Sequence, residues 1–582
     1  MTYQAPVDDI LAALKAAGAF DPGMMNADLD EATVGAILEE AGKFGADVLD
    51  PLNRVGDKTG SQLKDDRVVT PPGWAEAYTQ FAEAGWPALP CPAEFGGQGL
   101  PAAVAMGVCE IWNAANMAFG MCPLLTNGAI DALHIGGSDD LKARYLPHMI
   151  SGRWTGTMNL TEPQAGSDLN AVATRAVPAG DGTYRLFGTK IYISYGDHDL
   201  TENIIHLVLA RLPDAPPGTR GISLFLVPKF LLNDDGTPGA RNDVVCAGLE
   251  HKLGIVASPT CVMKFGEGDG AVGYLVGEEN RGLNIMFVMM NAARLAVGVQ
   301  GVAIAERATQ RAMHYARERR QGRAAGSKEM APIILHPDIR RMLLTMRALT
   351  QAARGICMAT AVATDLSHTA ADAETRARAA DRVALLTPIA KAFSTDVAVE
   401  VASLGIQIHG GMGFVEETGA AQYLRDARIL PIYEGTNGIQ AIDLVTRKLP
   451  LAGGNAVTSY FADVITTLKS LREAELTGFD FAIEQMGRAL EALATATDWI
   501  GRQLQSKPDI ALAGATPYLH LFSLVAASDA LARAALQAGN AAEPVALLRF
   551  FAENRSVTAW GLAASIMAGH TSVLGADLGA IR

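Results

Sequence analysis

Apolar positions recur at threes and fours through the first third of the chain. Val34, Ile37, Leu38, Ala41, Val48 and Leu52 share one helical face, and Trp74, Tyr78 and Phe81 repeat the pattern. From about Trp154 the period drops to two. Tyr184, Leu186, Ile191 and Ile193, then residues 204–209, 222–227 and 261–265, form short β-rich runs between Gly, Pro and Asp clusters. Helical spacing returns near Gly282 and passes through 304–315, 342–349 and 383–401. After Leu449-Pro450-Leu451, the run Ala452-Gly453-Gly454-Asn455 reads as a linker. The rest, to Arg582, is Ala- and Leu-rich with helical spacing, as at Leu468, Leu471, Leu490 and Leu493. The pattern predicts a mainly α chain with a central β domain. Its expected divisions are a helical domain over 1–152, a β domain over 153–281, a second helical domain over 282–450 and a helical extension over 451–582.

Composition narrows the function. A chain of 582 residues exceeds one ordinary hydrophobic core, so several domains are expected, with room to bury a large cofactor. Lys and Arg number 48 against 62 Asp and Glu, a net charge of −14 that disfavours a general nucleic-acid surface. Acids stand near the start where a signal peptide needs basic residues, and no uncharged run reaches membrane-spanning length, so a soluble, cytoplasmic protein is expected. The cysteines, at 91, 109, 122, 246, 261 and 357, have no C-x-x-C spacing and read as reduced and mostly buried. No G-x-G-x-x-G or Walker loop follows a strand, and no G-x-S-x-G elbow is present. The eleven histidines are scattered, and Asp197-His198-Asp199 reads as a hydrogen-bonded turn, so no metal is expected.

Three stretches remain that could carry chemistry. Ile432 to Gln440, I-Y-E-G-T-N-G-I-Q, sets the lone carboxylate of Glu434 in a turn. Pro431 ends the helix before it, Gly435 and Gly438 admit close backbone approach, and Thr436 and Asn437 can cap a helix through Ile439, Ile442, Leu444 and Val445. Such a turn either holds a reactive acid or carries a solvated one. Met158 to Asp168, M-N-L-T-E-P-Q-A-G-S-D, offers the Thr161 and Ser167 hydroxyls and open backbone at Gly166, which suits a polar planar ligand or an ordinary loop equally. Glu94 to Pro101, E-F-G-G-Q-G-L-P, reads as a corner.

Taken together, T-E-P-x-A-G-S-D, K-I-Y-I-S (190–194), Q-I-H-G-G-M-G-F (407–414) and Y-E-G-T resemble, in order, the motifs of the acyl-CoA dehydrogenases. The resemblance covers about Leu49 to Leu449. The long helical C-terminus and the opening Y-Q-A-P-V-D-D are most similar to the larger subgroup that contains methylthiopropanoyl-CoA dehydrogenases. The implied fold is an N-terminal helical bundle, a β-barrel-like middle domain and a C-terminal helical bundle, here with an extra helical region. The implied activity is FAD-dependent α,β-dehydrogenation of an acyl-CoA thioester to the trans-2-enoyl-CoA. For the subgroup, this means 3-methylthiopropanoyl-CoA to methylthioacryloyl-CoA in dimethylsulfoniopropionate-derived sulfur metabolism. The alternatives are a general fatty acyl-CoA dehydrogenase of β-oxidation and a non-catalytic flavoprotein with a nucleic-acid or scaffold role. For the nucleic-acid role the extension should be basic, but Asp463, Glu473, Glu475, Glu484, Glu491 and Glu543 are mixed with its bases.

The resemblance also implies residue roles. Glu434 is the base that takes the α-proton, and its backbone amide binds the thioester oxygen. Relatives that place the base on an earlier helix do so at the position held here by Ala293, which accepts no proton. Met158, Leu160, Thr161 and Ser167 match the flavin loop, with Tyr192 and Ser194 flanking the flavin and Thr436 and Gly438 also on the cofactor. Ser167, Asn291, Arg294, Tyr433 and Gly435 match substrate-contacting positions, although the family often has aspartate where Asn291 stands. Arg319, on a segment resembling the family's arginine-bearing helix, reaches the FAD pyrophosphate of a neighbouring subunit, and Gln407, Gly410 and Gly411 meet its adenosine half. A homodimer at least is implied, with electron-transferring flavoprotein as acceptor.

Overall fold

The apolar stripe at Val34, Leu38 and Ala41 is buried in the helix Glu31–Phe44, whose N-cap Asp30 accepts the Thr33 amide at 2.8 Å. This computed structural model describes residues 3–581 except 25–28, 327, 475, 477, 478 and 540, so Glu475 lies outside the described residues. Glu31–Phe44 packs on the helix Ala102–Gly136, which bends at Asn116 (φ −158°, ψ 92°). There the Asn116 side chain accepts the Phe119 amide at 3.1 Å and caps the second half. A hairpin, Gln62–Lys64 with Arg67–Val69, interrupts the helices, and the hydrophobic period did not predict it. Three-residue strands leave no periodic trace. The signal was the pair Asp65 and Asp66, which takes the left-handed φ values (+47° and +59°) of a tight hairpin turn. The Glu94–Pro101 loop folds back on residues 88–92 through the amides of Gly97, Gln98, Gly99 and Leu100.

In the central domain, Tyr184–Ser194 pairs with Thr260–Phe265 and Ala271–Val276. The sheet continues through Ser223–Pro228 and Asn203–Ala210 to Trp154–Asn159, the last pairing being parallel. Arg175–Pro178 also pairs with Tyr184–Phe187, and Arg175 bridges to Arg211 just past Asn203–Ala210. That bridge closes a ring of strands, the barrel-like form expected. The Leu207, Leu209, Leu224 and Leu226 side chains face the helical domain's core, whereas Val208, Phe225 and Val227 fill the barrel.

The second helical domain is built from Gly282–Glu318, Pro337–Thr369 and Ala373–His409. Gly298 and Gly301 let the first of these approach the third closely. A Cβ at Gly298 would stand 2.9 Å from the Ala390 carbonyl oxygen, and one at Gly301 would stand 2.4 Å from that of Ser394. The contact brings together the helix segments that flank the Glu434 turn. The extension, led by Asn455–Glu473, Asp480–Ser506 and Ala515–Ala538, shares one apolar core with these helices. Ion pairs fasten it: Arg382 to Asp463, Arg555 to Glu400 at 2.9 Å and Arg347 to Glu543 at 2.7 Å. Beneath them Arg354, fully buried, donates to Glu110 at 2.6 Å and Glu306 at 2.9 Å, and Arg347 grips Asp9 of the helix Val7–Ala16. Among the described residues two helices, Gly282–Glu318 and Ala515–Ala538, are long and apolar enough to cross a membrane, but 67% of each apolar window is buried inside the protein.

Candidate active site

Glu434 sits between the helix Ala420–Ala427 and the helix Asn437–Asp443. Its φ is +53° and that of Gly435 is +85°, so two consecutive residues are left-handed, a costly state for a glutamate that its surroundings must impose. The surroundings are specific. The Asn437 amide donates to the Pro431 carbonyl at 3.0 Å, and the Gln440 side chain donates to the Glu434 and Gly435 carbonyls at 3.3 and 3.2 Å. Thr436 caps the following helix by accepting the Ile439 amide at 3.2 Å. A Cβ at Gly435 would meet the Gln440 Nε2 at 2.7 Å, which is why glycine stands there. On the other side, the Tyr433 hydroxyl donates to Gln300, whose Nε2 donates to Asn113 at 3.0 Å. Among the described residues, no hydrogen bond uses the backbone amide of Glu434 or reaches its carboxylate.

The carboxyl is half-buried and faces two cations. Loss of bulk water pushes its pKa up to about 7, and Arg294 and Lys391 each oppose part of that rise. Arg294 comes from the Gly282–Glu318 helix and is 5% exposed. It lies 3.7 Å from Asp443, its contact to Asn291 is a long 3.5 Å, and its buried Nε has no hydrogen-bond partner among the described residues. Gln440 Oε1 and Asp443 Oδ2, on the helix after the turn, are likewise buried and make no hydrogen bond among the described residues. Unsatisfied polar atoms gathered around a turn suit a polar ligand. Asn291 is exposed, and Ala293 is buried. Thr436 holds the cap position expected of it, whereas the Asn437 side chain turns away from capping to the fully buried Lys391, which donates to Asn437 Oδ1 at 2.9 Å. Sequence reasoning missed Lys391, Gln300, Gln440 and Asp443. The available signal for Lys391 was its setting in the otherwise apolar run T-P-I-A-K-A-F.

The Met158–Asp168 loop is fastened to the K-I-Y-I-S strand by a buried ion pair. Lys190 Nζ donates to Glu162 at 2.7 Å and to the Leu160 carbonyl at 3.0 Å, and the Ile191 amide donates to the Thr161 carbonyl. Glu162 also accepts the Ala173 and Thr174 amides at 2.8 and 3.0 Å. With the loop fixed, Ser167 is exposed, and Met158, Leu160, Thr161 and Ser194 are half-buried. Tyr192, at φ +60°, holds out a ring that is 61% exposed, a platform for a flat ligand. The buried Asn159 Oδ1 beside the loop has no hydrogen-bond partner among the described residues. These features fit a flavin.

Arg319 lies one residue past the end of Gly282–Glu318 in extended backbone, so the arginine expected on a helix caps it instead. It is exposed, 3.4 Å from Gln321. Gln407, Gly410 and Gly411 are exposed at the end of Ala373–His409, where Gly410 has φ +61°. Stacking of Tyr315 on His409, at 4.5 Å, joins these two segments into one outer face. Arg319, four residues past Tyr315, and residues 407–411, around His409, therefore lie on segments that meet at this stack. Thr436 and Gly438 stay with the Glu434 turn. Asp197-His198-Asp199 is hydrogen-bonded: His198 meets Thr155 at 2.8 Å, Asp199 accepts Thr70 at 2.6 Å, and burial pulls His198 down to about 3, leaving it neutral.

The family models for the acyl-CoA dehydrogenase N-terminal, middle and C-terminal domains match residues 32–153, 157–267 and 280–449, and an acetyl-CoA dehydrogenase C-terminal-like model matches 460–577. The chain belongs to the acyl-CoA dehydrogenases, FAD-dependent oxidoreductases that act on acyl-CoA. It is 51% identical over 545 residues to the 3-methylmercaptopropionyl-CoA dehydrogenase of Ruegeria pomeroyi, covering 92% of each chain. It is 36% identical over 506 residues to a butyryl-CoA dehydrogenase of Syntrophomonas wolfei, covering 84% of this chain and 82% of that one. Among solved structures, an acyl-CoA dehydrogenase complexed with FAD from Bacillus anthracis shares the fold at a TM-score of 0.75 and 21% identity, covering 97% of this chain and 93% of that one.

Proposed function

We propose that the substrate is 3-methylthiopropanoyl-CoA, oxidised to methylthioacryloyl-CoA in dimethylsulfoniopropionate-derived sulfur metabolism, with Glu434 as the base. The substrate reading is carried by the 51% identity, over 92% of both chains, to a 3-methylmercaptopropionyl-CoA dehydrogenase. The choice of base is supported by the geometry of Glu434. A proton α to a thioester is weakly acidic, so its removal needs a carboxylate of raised basicity and a donor for the carbonyl oxygen as negative charge develops there. Glu434 has a pKa pushed up to about 7, and its own amide is unengaged among the described residues. The carboxylate takes the α-proton while the amide donates to the thioester oxygen. Arg294, Tyr433, Gly435, Asn291 and Ser167 border the acyl-CoA.

FAD, when bound, accepts the hydride leaving Cβ. Met158, Leu160, Thr161, Ser167, Tyr192 and Ser194 hold its flavin end, with Thr436 and Gly438 beside it. Arg319, Gln407, Gly410 and Gly411 serve the FAD of a second subunit. A homodimer is further supported by the exposed apolar side chains near that outer face, Met330, Leu335, Met412 and Phe414, the last 86% exposed. Electron-transferring flavoprotein is the proposed acceptor, the cytoplasm the proposed location, and neither nucleic acid nor membrane insertion is part of the reading.

Similarity to a butyryl-CoA dehydrogenase supports a second reading, oxidation of unsubstituted acyl chains. A thioether is close to a methylene in shape and polarity, so turnover must separate the two. The test compares methylthiopropanoyl-CoA, butanoyl-CoA, octanoyl-CoA and palmitoyl-CoA with an artificial electron acceptor. The highest kcat/KM is expected for methylthiopropanoyl-CoA, and a higher value for butanoyl-CoA would favour the second reading.

A further inference from the structure

Lys391 is the least expected residue near Glu434. It is 0% exposed on the Ala373–His409 helix, and a lysine so placed must be compensated. Among the described residues its ammonium makes one hydrogen bond, to Asn437 Oδ1, three residues past Glu434 and at the start of the helix that follows the turn. Asn437 is in turn held by the Lys391 helix: its Nδ2 donates to Asp396 at 2.8 Å, to Thr395 at 3.0 Å and to the Ala392 carbonyl at 3.2 Å. Lys391 and its helix therefore grip the exit of the turn, as Gln300 grips its entrance through Tyr433.

We propose that Lys391 is a positioning residue for the reaction, holding the Glu434 turn through Asn437 and keeping a positive charge beside the carboxylate so that Glu434 is ionised when substrate arrives. The inference rests on Glu434 being the base. The other charged and titratable groups around the pair are Arg294 from Gly282–Glu318, Asp396 with His520 of Ala515–Ala538 at 3.5 Å, Tyr433, and Asp443 with Arg447 and Lys448. None of them repeats the arrangement of Lys391. Arg294 is shared with Asp443, and Arg447 and Lys448 also pair with Asp443. The coupling is mutual: burial pulls Lys391 down to about 7, and the negative charges of Glu434 and Asp396 oppose that fall. The two groups titrate in the same range, and each charge favours the other. Below that range the glutamate is protonated. Above it the lysine is neutral.

The test measures anaerobic flavin bleaching by butanoyl-CoA from pH 5.5 to 9.5 in the FAD-loaded wild type, Lys391→Met, Lys391→Arg and Glu434→Gln. In Lys391→Met the acid limb of the rate over KM should move up by about one pH unit, with a loss of about fivefold at pH 7 that approaches tenfold at lower pH and narrows towards pH 9. Lys391→Arg should restore the limb. An acid limb unmoved in Lys391→Met, whether the rate is unchanged or uniformly lowered, would overturn the inference, because a purely structural lysine lowers rate or FAD content without moving a pKa. If the methionine variant does not retain FAD, Lys391→Gln, neutral but able to donate to Asn437, is read against the same limb. Glu434→Gln separates the two failures. Bleaching at a wild-type rate in that variant sinks the base itself, whereas an inactive Glu434→Gln beside an unmoved limb in the lysine variants sinks only the role of Lys391.

Discussion

Replacing Glu434 by glutamine should abolish flavin reduction and, at the same time, stabilise the protein above neutral pH. Burial raises the Glu434 pKa from 4.5 to about 7, a difference of about 2.5 units, or about 3 kcal/mol at roughly 1.4 kcal/mol per unit. The sign follows from proton uptake: between pH 4.5 and 7 the folded state holds a proton that the unfolded state has released, so stability falls as pH rises through that window. Glutamine has no such proton. The variant should therefore match the wild type near pH 4.5, gain on it up to about 7 and hold the advantage beyond. The half-buried carboxyl is screened on its open side, so about 3 kcal/mol is a ceiling and an advantage of 1–2 kcal/mol is expected. The assay is the melting temperature of both proteins, FAD-loaded, from pH 5 to 9, alongside anaerobic bleaching by acyl-CoA. Flavin reduction should fall by at least the 10²- to 10⁴-fold typical of a lost general base. A difference in melting temperature that is flat across pH would refute the desolvated carboxyl. Bleaching at a near wild-type rate would refute the base.

The cofactor face, the turn and the buried charges give three further expectations. Arg319→Ala should weaken FAD retention by about 1.5 to 3 kcal/mol, the usual worth of a charge-assisted contact, with little change in kcat at saturating FAD; unchanged affinity by FAD titration would remove Arg319 from the cofactor site. Gly435→Ala places a Cβ 2.7 Å from Gln440 Nε2 at φ +85°, so stopped-flow bleaching should slow at least tenfold while FAD content is kept, and an unaffected rate would show that the turn tolerates rearrangement. Arg354→Met leaves Glu110 fully buried without its partner and should cost about 3 to 5 kcal/mol of stability in urea unfolding, whereas the double variant with Glu110→Gln should recover much of that loss.

How much of this could be read from residues alone depended on whether a signal was local. The α, β, α order came from hydrophobic period, and the helix after the Glu434 turn from Thr436 and the apolar spacing beyond it, because capping and periodicity act over a few residues. The hairpin at 62–69 was missed because its strands are too short to have a period. The larger omissions were buried charges. Lys190 appeared as one letter of K-I-Y-I-S and Glu162 as one letter of T-E-P, yet they form the ion pair that fixes the loop to the strand. The two lie 28 positions apart, and nothing local in either segment marks a lysine as buried rather than solvated.

Lys391, Arg294 and Arg354 have the same character. Each belongs to a long helix, where lysine and arginine ordinarily face water, and each is buried by a partner contributed from elsewhere in the chain. Burying a charge costs more than its ion pair usually returns, so packing alone would favour an apolar residue at each position. At Arg354 the compensation is an ion-pair cluster tying the N-terminal helix to the bundle. At Lys391 and Arg294 it is incomplete: among the described residues Arg294 Nε and Asp443 Oδ2 make no hydrogen bond, and both cations face a carboxylate that no hydrogen bond within the described protein satisfies. A cluster completed within the fold serves stability. One that leaves donors and an acceptor open around a strained turn is shaped for a group the chain does not itself supply, and the cost of Lys391 and Arg294 is what the proposed role of Glu434 calls for, a carboxylate that is both basic and ionised near neutral pH.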